Sequence, residues 1–248
     1  MSGQVHVERP APGVVRLVLD SPPLNALGVE MLKVIGGVLD EVEADDSLRA
    51  MVLTGRGRAF CTGADLKAAA GVAAGAFGEM LDRVAATRIA VVAAVNGYCI
   101  GGGFELALAC DIRLASTAAS FTAAGVNMGL MASAWSLPRL IGVSRAKAIL
   151  LTGQPCGAET AERYGIVTGL HAPEDLDAAA LALAARIASR APLSVEATKA
   201  VAGRAPDLAP EDSAAFQAPY MRRLTRSEDH REALAAFRDK RDPVFNRR

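Results

Sequence analysis

The stretch Ala93-Ala94-Val95-Asn96-Gly97-Tyr98-Cys99-Ile100-Gly101-Gly102-Gly103-Phe104-Glu105-Leu106-Ala107-Leu108-Ala109-Cys110-Asp111 decides how this chain is read. An apolar run over 90–95 stops at the turn signal Asn96-Gly97, and three glycines then lead into Leu106, Ala107, Leu108 and Ala109, which are good helix formers. The pattern predicts a strand, a turn and the start of a buried helix. Glycines at such a start let a ligand approach the backbone closely, and the free N–H groups and dipole of a first helical turn favour negative charge. Into this apolar setting the chain places one carboxylate, Glu105. A site for developing negative charge beside an acid or base is the first expectation.

Working outward, strands and helices alternate. Val5, Val7 and the run 14–19 flank the turn-rich Pro10-Ala11-Pro12-Gly13, which predicts a pair of strands. Leu32, Ile35, Leu39 and Val42 recur at helical spacing, and 50–54 reads as a short strand closed by Gly55-Arg56-Gly57. This order predicts a parallel α/β arrangement. The residues 60–67 read as a small-residue loop entering a helix, 68–76 as a weakly patterned mobile cover, and 80–86 as helix. Past Asp111, 112–115, 121–123 and Ile166-Val167 read as strands, while 137–151, 158–164 and 173–190 read as helices. Pro192 marks a boundary: a core over 1–192 is expected, followed by a more charged helical segment over 193–248.

Composition narrows the function classes. The chain has 248 residues, enough to bury a core without staples. Its 27 basic and 27 acidic residues balance, with a pI near 6.8, so no nucleic-acid or polyanion binder is expected. Cys61, Cys99, Cys110 and Cys156 form no CxxC pair, and with three histidines no zinc cluster is expected, which suits reduced thiols in a cytoplasmic protein. The start has neither the basic head nor the apolar core of a signal peptide, and the apolar central region is interrupted well before the roughly 20 residues a membrane span needs.

Taken together, Pro23-Leu24-Asn25-Ala26-Leu27, the loop Ala59-Phe60-Cys61-Thr62-Gly63-Ala64-Asp65-Leu66-Lys67, the stretch from Asn96 to Asp111, Leu150-Leu151-Thr152-Gly153, Ala161-Glu162-Arg163-Tyr164-Gly165-Ile166-Val167 and the tail Phe237-Arg238-Asp239-Lys240-Arg241 resemble the crotonase superfamily of enoyl-CoA hydratases and isomerases. The resemblance implies an α/β fold built as a spiral of β-β-α units, with a C-terminal helical segment that associates copies into a homotrimer or homohexamer. It implies no cofactor beyond a coenzyme A thioester as substrate or ligand, its oxygen held by the backbone N–H groups of Ala64 and Gly102. The same resemblance assigns Glu105 as an acid/base and extends ligand binding over Arg58, Asp65, Leu66, Lys67 and Lys240, the basic groups lying near the CoA phosphates.

Each assignment has a plainer alternative. The triple glycine can serve packing alone. Glu105, with Gly102 as N-cap, would stand where a glutamate bonds back to the free amides of its own helix. Arg58, Lys67 and Lys240 can be solvated surface charges, and Asp111 reads as structural.

The chain also departs from the pattern. Hydratases of the family use two glutamates, because hydration needs water activated at one carbon and a proton delivered at the other. Anchoring on Phe121 and Gly129 puts Gly125 where the second glutamate belongs, and Ala132-Ser133-Ala134-Trp135 replaces the family's Pro-Gly-x-Gly turn, which sets Trp135, the one tryptophan, beside the expected acyl pocket. Three readings stay open: an acyl-CoA hydratase or isomerase in which Glu105 is the single retained acid/base, a non-catalytic fatty acyl-CoA-binding protein of the same fold, and, more remote, a structural oligomer with a vestigial site.

Overall fold

A computed structural model of the chain describes residues 3–65 and 72–248. Its organising element is a six-stranded sheet, built from β1 (Gln4–Ala11), β2 (Val14–Asp20), β3 (Ala50–Gly55), β5 (Ala90–Val95), β7 (Ile112–Ser116) and β10 (Gly169–His171), side by side in that order. The first pair is an antiparallel hairpin and every later pairing is parallel. A second sheet of four short strands, β4 (Ala59–Cys61), β6 (Tyr98–Ile100), β8 (Ser120–Thr122) and β9 (Cys156–Gly157), runs beside it.

The central strands read as unbroken apolar runs because both faces of the large sheet are covered. Val15, Leu17, Leu19, Met51, Leu53, Val91, Ala93 and Val95 point into the main core, with helices α1 (Val29–Ala44), α2 (Val72–Ala86) and α3 (Gly102–Ala109). Their neighbours Val14, Ala50, Val52, Val92 and Ala94 point the other way, onto Leu176, Ala180, Ala184 and Ala188 of α7 (Leu176–Ala188). The period of two thus sorts each strand between two cores. Alanine on both partners lets α7 lie close to the sheet.

Several expected boundaries shift. The loop expected over 60–67 begins as strand β4, and the link after Gly97 is strand β6; each has three residues, too few to show alternation. The helical run 137–151 is two helices, α4 (Ser136–Ile141) and α5 (Val143–Thr152), separated at Gly142. Ile166-Val167 is not a strand: both residues are fully buried in the turn after α6 (Ala158–Tyr164), and the pairing edge is Gly169–His171. The proposed cover over 68–76 lies partly outside the described residues, and its last part belongs to α2.

The C-terminal segment is helical, as expected: α8 (Pro192–Arg204), α9 (Pro210–Leu224) and α10 (Glu228–Asp239). Pro192 occupies the first turn of α8, where its missing N–H costs nothing. The last residues run back along α10, held by Arg241 on Glu232 at 2.6 and 2.9 Å and by Arg247 on Glu196 and Asp46. Arg49 of the turn before β3 donates to the Phe245 carbonyl at 2.5 Å. Among the described residues no single helix is long and apolar enough to cross a membrane.

Candidate active site

The site forms where the strand ends of both sheets meet the first turn of α3. Gly101 is the N-cap of that helix, with φ 54° and ψ −120°, a conformation that excludes side chains. Its N–H donates to Thr122 of β8 at 2.8 Å, which fixes where the helix begins. Gly102 then meets Gly63: a Cβ on either one would lie 2.9 Å from backbone atoms of the other, and a Cβ on Gly102 would also meet the Phe77 ring at 2.9 Å. A Cβ on Gly103 would fall on the Cys61 carbonyl. The packing reading of the triple glycine is therefore correct as far as it goes. It also has a consequence, because the contact sets the peptide joining Gly63 to Ala64 against Gly102.

Ala64 reaches this place through a single parallel bridge with Leu27. Leu27 N–H donates to Gly63 O at 2.8 Å and Asp65 N–H donates to Leu27 O at 3.0 Å. In this parallel bridge Leu27 bonds to the residues on either side of Ala64, so the N–H and C=O of Ala64 itself face away from Leu27. The Ala64 amide is thus turned from Leu27, and no acceptor for it lies among the described residues. Gly102, as the first residue of its helix, also has an amide without an intrahelical partner.

Two asparagines hold the loop that delivers Ala64. Asn25, buried and at φ 56°, donates from Nδ2 to Ala59 O at 2.7 Å and Arg56 O at 3.0 Å, and accepts from Ser21 N–H at 2.9 Å. Asn96 accepts from Gly55 N–H at 3.2 Å and donates to Gly57 O at 2.9 Å. Thr62 Oγ1 donates to Leu24 O at 3.2 Å. These bonds occupy the polar groups of an otherwise irregular segment, which an enclosed loop requires. Neither asparagine's bridging role is legible in the sequence, where Asn96 reads only as a turn former.

At the other end of α3, Arg113 is buried and donates to the carbonyls of Ile166, Cys110 and Ala107 at 2.7, 2.7 and 3.2 Å. Burial lowers its pKa, and these carbonyls at a helix C-terminus compensate the charge. A charged residue inside the apolar run Ile112-Arg113-Leu114 was the available signal. Asp111 is structural, as expected: its carboxylate accepts from Val91 N–H at 2.8 Å and pairs with Lys199 at 2.9 Å.

Glu105 does not cap its own helix. With Gly101 rather than Gly102 as N-cap, it is the fourth helical residue, and its Oε1 accepts from the backbone N–H of Ser133 at 2.8 Å, 28 residues on. The half-buried carboxylate therefore looks across to the segment expected to carry the second acid. There Gly125 opens a single 3-10 turn over Val126–Met128, and Leu130 N–H closes back on its carbonyl at 2.8 Å. A Cβ on Gly125 would lie 2.7 Å from Ala132 N and 3.0 Å from Leu130 O, so the turn is folded around a residue with no side chain.

The remaining expected residues are placed more loosely. Trp135 is 74 % exposed, with the Arg139 guanidinium 5.2 Å from its ring, and it lines an open groove of about 940 Å³ shared with Leu108, Lys199 and Arg204. Ala64, Gly102 and Glu105 do not line that groove. Arg58 is exposed at the rim of the loop leading to Ala64, and its carbonyl accepts from Tyr98 N–H at 3.1 Å. Asp65 continues the bridge to Leu27, and Leu66 and Lys67 lie outside the described residues. Lys240 is exposed at the end of α10. Its tail is anchored at Asp46 and Arg49, before β3, whereas Ala64 lies past the other end of that strand.

All four cysteines are buried and unpaired by disulfides. Burial pushes the Cys61 and Cys110 thiols up to about 12, so they are inert packing groups beneath the site.

The family model for enoyl-CoA hydratase/isomerase matches residues 9–248. A Mycobacterium tuberculosis protein described as "Probable enoyl-CoA hydratase EchA12" is 40% identical, over 97% of this chain and 92% of that protein. The (E)-benzylidenesuccinyl-CoA hydratase of Thauera aromatica is 36% identical over 94% of this chain and 95% of its own length. Among solved structures, an enoyl-CoA hydratase from Bacillus anthracis superposes with a TM-score of 0.95 at 30% identity, covering 99% of this chain and 100% of that one. The sheets, the glycine-built helix start and these matches agree, and the chain belongs to the enoyl-CoA hydratase/isomerase family.

Proposed function

We propose that this protein binds an acyl-CoA thioester and stabilises its enolate through the amides of Ala64 and Gly102, with Glu105 as the one carboxylate that exchanges protons with the ligand. The observation that carries this reading is the contact of Gly63 with Gly102, which lays the Ala64 peptide against the first turn of α3 while Ala64 N–H faces away from Leu27. As a thioester becomes an enolate, its oxygen gains charge, and a fixed amide in an enclosed site contributes roughly 3 kcal/mol to that transition state. The dipole of α3 acts in the same direction. Arg58, exposed at the rim of the loop, and Lys67 would bind the CoA phosphates, and Asp65 and Leu66 would also contribute to ligand binding. In an assembly, Lys240 would do the same. Trp135, on a groove that Ala64, Gly102 and Glu105 do not line, would meet only an acyl chain long enough to leave the site.

Specific observations support two further parts of the reading. Met221, Leu234 and Phe237 of the segment over 193–248 are exposed, Phe237 by 85 %, which suits a helical face that pairs with other copies in a homotrimer or homohexamer. The glycine at 125, with the next turn folded tightly over it, removes one acid from the two that ordinary hydration employs. It favours the second reading, a non-catalytic acyl-CoA binder, over an unmodified hydratase.

Incubation with 2-enoyl- and 3-enoyl-CoA of short and long chain, alongside binding of a saturated acyl-CoA, separates the readings. Turnover that falls by about 10² to 10⁴ in Glu105→Gln supports the enzyme. Binding without turnover supports the binder, and absence of any binding overturns the acyl-CoA assignment.

A further inference from the structure

Ser133 combines three features that packing alone does not account for. Its backbone is left-handed, with φ 57°, a region that side-chain-bearing residues seldom enter. Its N–H holds Oε1 of Glu105 at 2.8 Å. It is 93 % buried, at 7 % exposure, and its hydroxyl oxygen is enclosed with no hydrogen-bond partner among the described residues. A buried hydroxyl without a partner is costly, so it calls for a partner from outside the fold, an ordered water or an oxygen of the ligand. Covalent geometry places Oγ only about 3 to 4 Å from the nitrogen that touches the carboxylate. The same residue therefore presents two polar groups at one place, an amide engaged with Glu105 and a hydroxyl that is not engaged.

We infer that the Ser133 hydroxyl is a specificity determinant: it binds the oxygen carried by the acyl chain beside Glu105, the oxygen of a 3-hydroxyacyl-CoA or of the water that gives rise to it. The inference rests on the acyl-CoA reading above and deepens it. A hydroxyl both donates and accepts, so it can pair with a substrate hydroxyl while Oε2 of Glu105 takes the other bond to the same oxygen. The left-handed backbone is what lets a single residue supply both: the amide turns toward Glu105 while the side chain stays inside.

The test compares wild type, Ser133→Gly and Ser133→Ala for binding of a 3-hydroxyacyl-CoA and the saturated acyl-CoA of equal length, by calorimetry. Ser133→Gly suits φ 57° and keeps the amide for Glu105, so its fold is not at risk. The expected result is a wild-type preference for the hydroxylated ligand of roughly tenfold, lost in both variants while affinity for the saturated ligand stays unchanged. A wild type without preference overturns the inference, and so does a preference that survives both substitutions. Equal loss of both ligands in the variants also overturns it, since Ser133 would then only support Glu105. If wild type binds neither ligand, the acyl-CoA reading itself has failed.

Discussion

The two segments that face each other across α3 are built in opposite ways. On one side, the loop from Gly55 to Ala64 and the turn from Asn96 to Gly103 are stapled by Asn25 and Asn96, and a methyl group added at Gly55, Gly63, Gly97, Gly102 or Gly103 would fall within 3 Å of backbone atoms. On the other side, residues 126–131 are exposed, and Met128, Leu130 and Met131 stand in solvent at 62 %, 68 % and 84 % exposure. The first segment presents only backbone amides, which need a rigid frame to act on developing charge. The second presents apolar side chains to solvent. The difference teaches that, on the proposed reading, the half that would bind the oxyanion tolerates almost no change, while the exposed half can be rebuilt.

Adding one methyl group to each side breaks or sharpens this contrast most strongly. Gly103→Ala forces a Cβ onto the Cys61 carbonyl and should cost about 3 kcal/mol, at the upper end for overpacking, whereas Gly125→Ala, whose Cβ would lie 2.7 Å from Ala132 N, is the milder clash and should cost about 1.5 kcal/mol. Urea denaturation of both variants checks this, and equal costs would remove the contrast. Next in size, Asn25→Ala leaves the Ala59 and Arg56 carbonyls and the Ser21 amide without their partner. A loss of about 2 to 3 kcal/mol is expected, together with weakened acyl-CoA binding, since the loop carrying Ala64 loses its staple. Stability loss with binding intact would show that the loop is placed by other contacts.

The smallest effect concerns chemistry beneath the frame. Desolvation disfavours the charged thiolate and raises the Cys61 thiol to about 12, so at pH 8 the native protein holds it protonated and iodoacetamide should label it only as fast as the fold opens. Labelling should quicken in Gly103→Ala and stay slow in Gly125→Ala. Rapid labelling of native Cys61 would mean the frame is looser than its packing implies.

Sequence reasoning reached the frame because its signals are local. The run 90–95, the Asn96-Gly97 turn and the three glycines lie within a few residues of one another, and helix formers follow at once. It missed β4 and β6, which are too short to alternate, and the break at Gly142, where both flanking runs keep a helical period. The bridges of Asn25 and Asn96 and the seat of Arg113 span tens of residues and have no periodicity. Glu105 is the instructive case. Its place near a helix start suggested a cap, but the glycine preceding the expected one begins the helix, and the carboxylate is spent on Ser133 instead. Such a pairing, between a side chain and a strained backbone 28 residues away, exists only once the fold brings them together.

The central claim is that two backbone amides polarise a thioester carbonyl, and it can be measured on the bound ligand. A saturated acyl-CoA labelled with ¹³C at the thioester carbon should show its carbonyl resonance moved downfield on binding to wild type and to Glu105→Gln alike, with the shift diminished in Gly63→Ala, where the added Cβ would press on Gly102. A tightly bound ligand whose carbonyl resonance stays at its position in free solution would contradict the account.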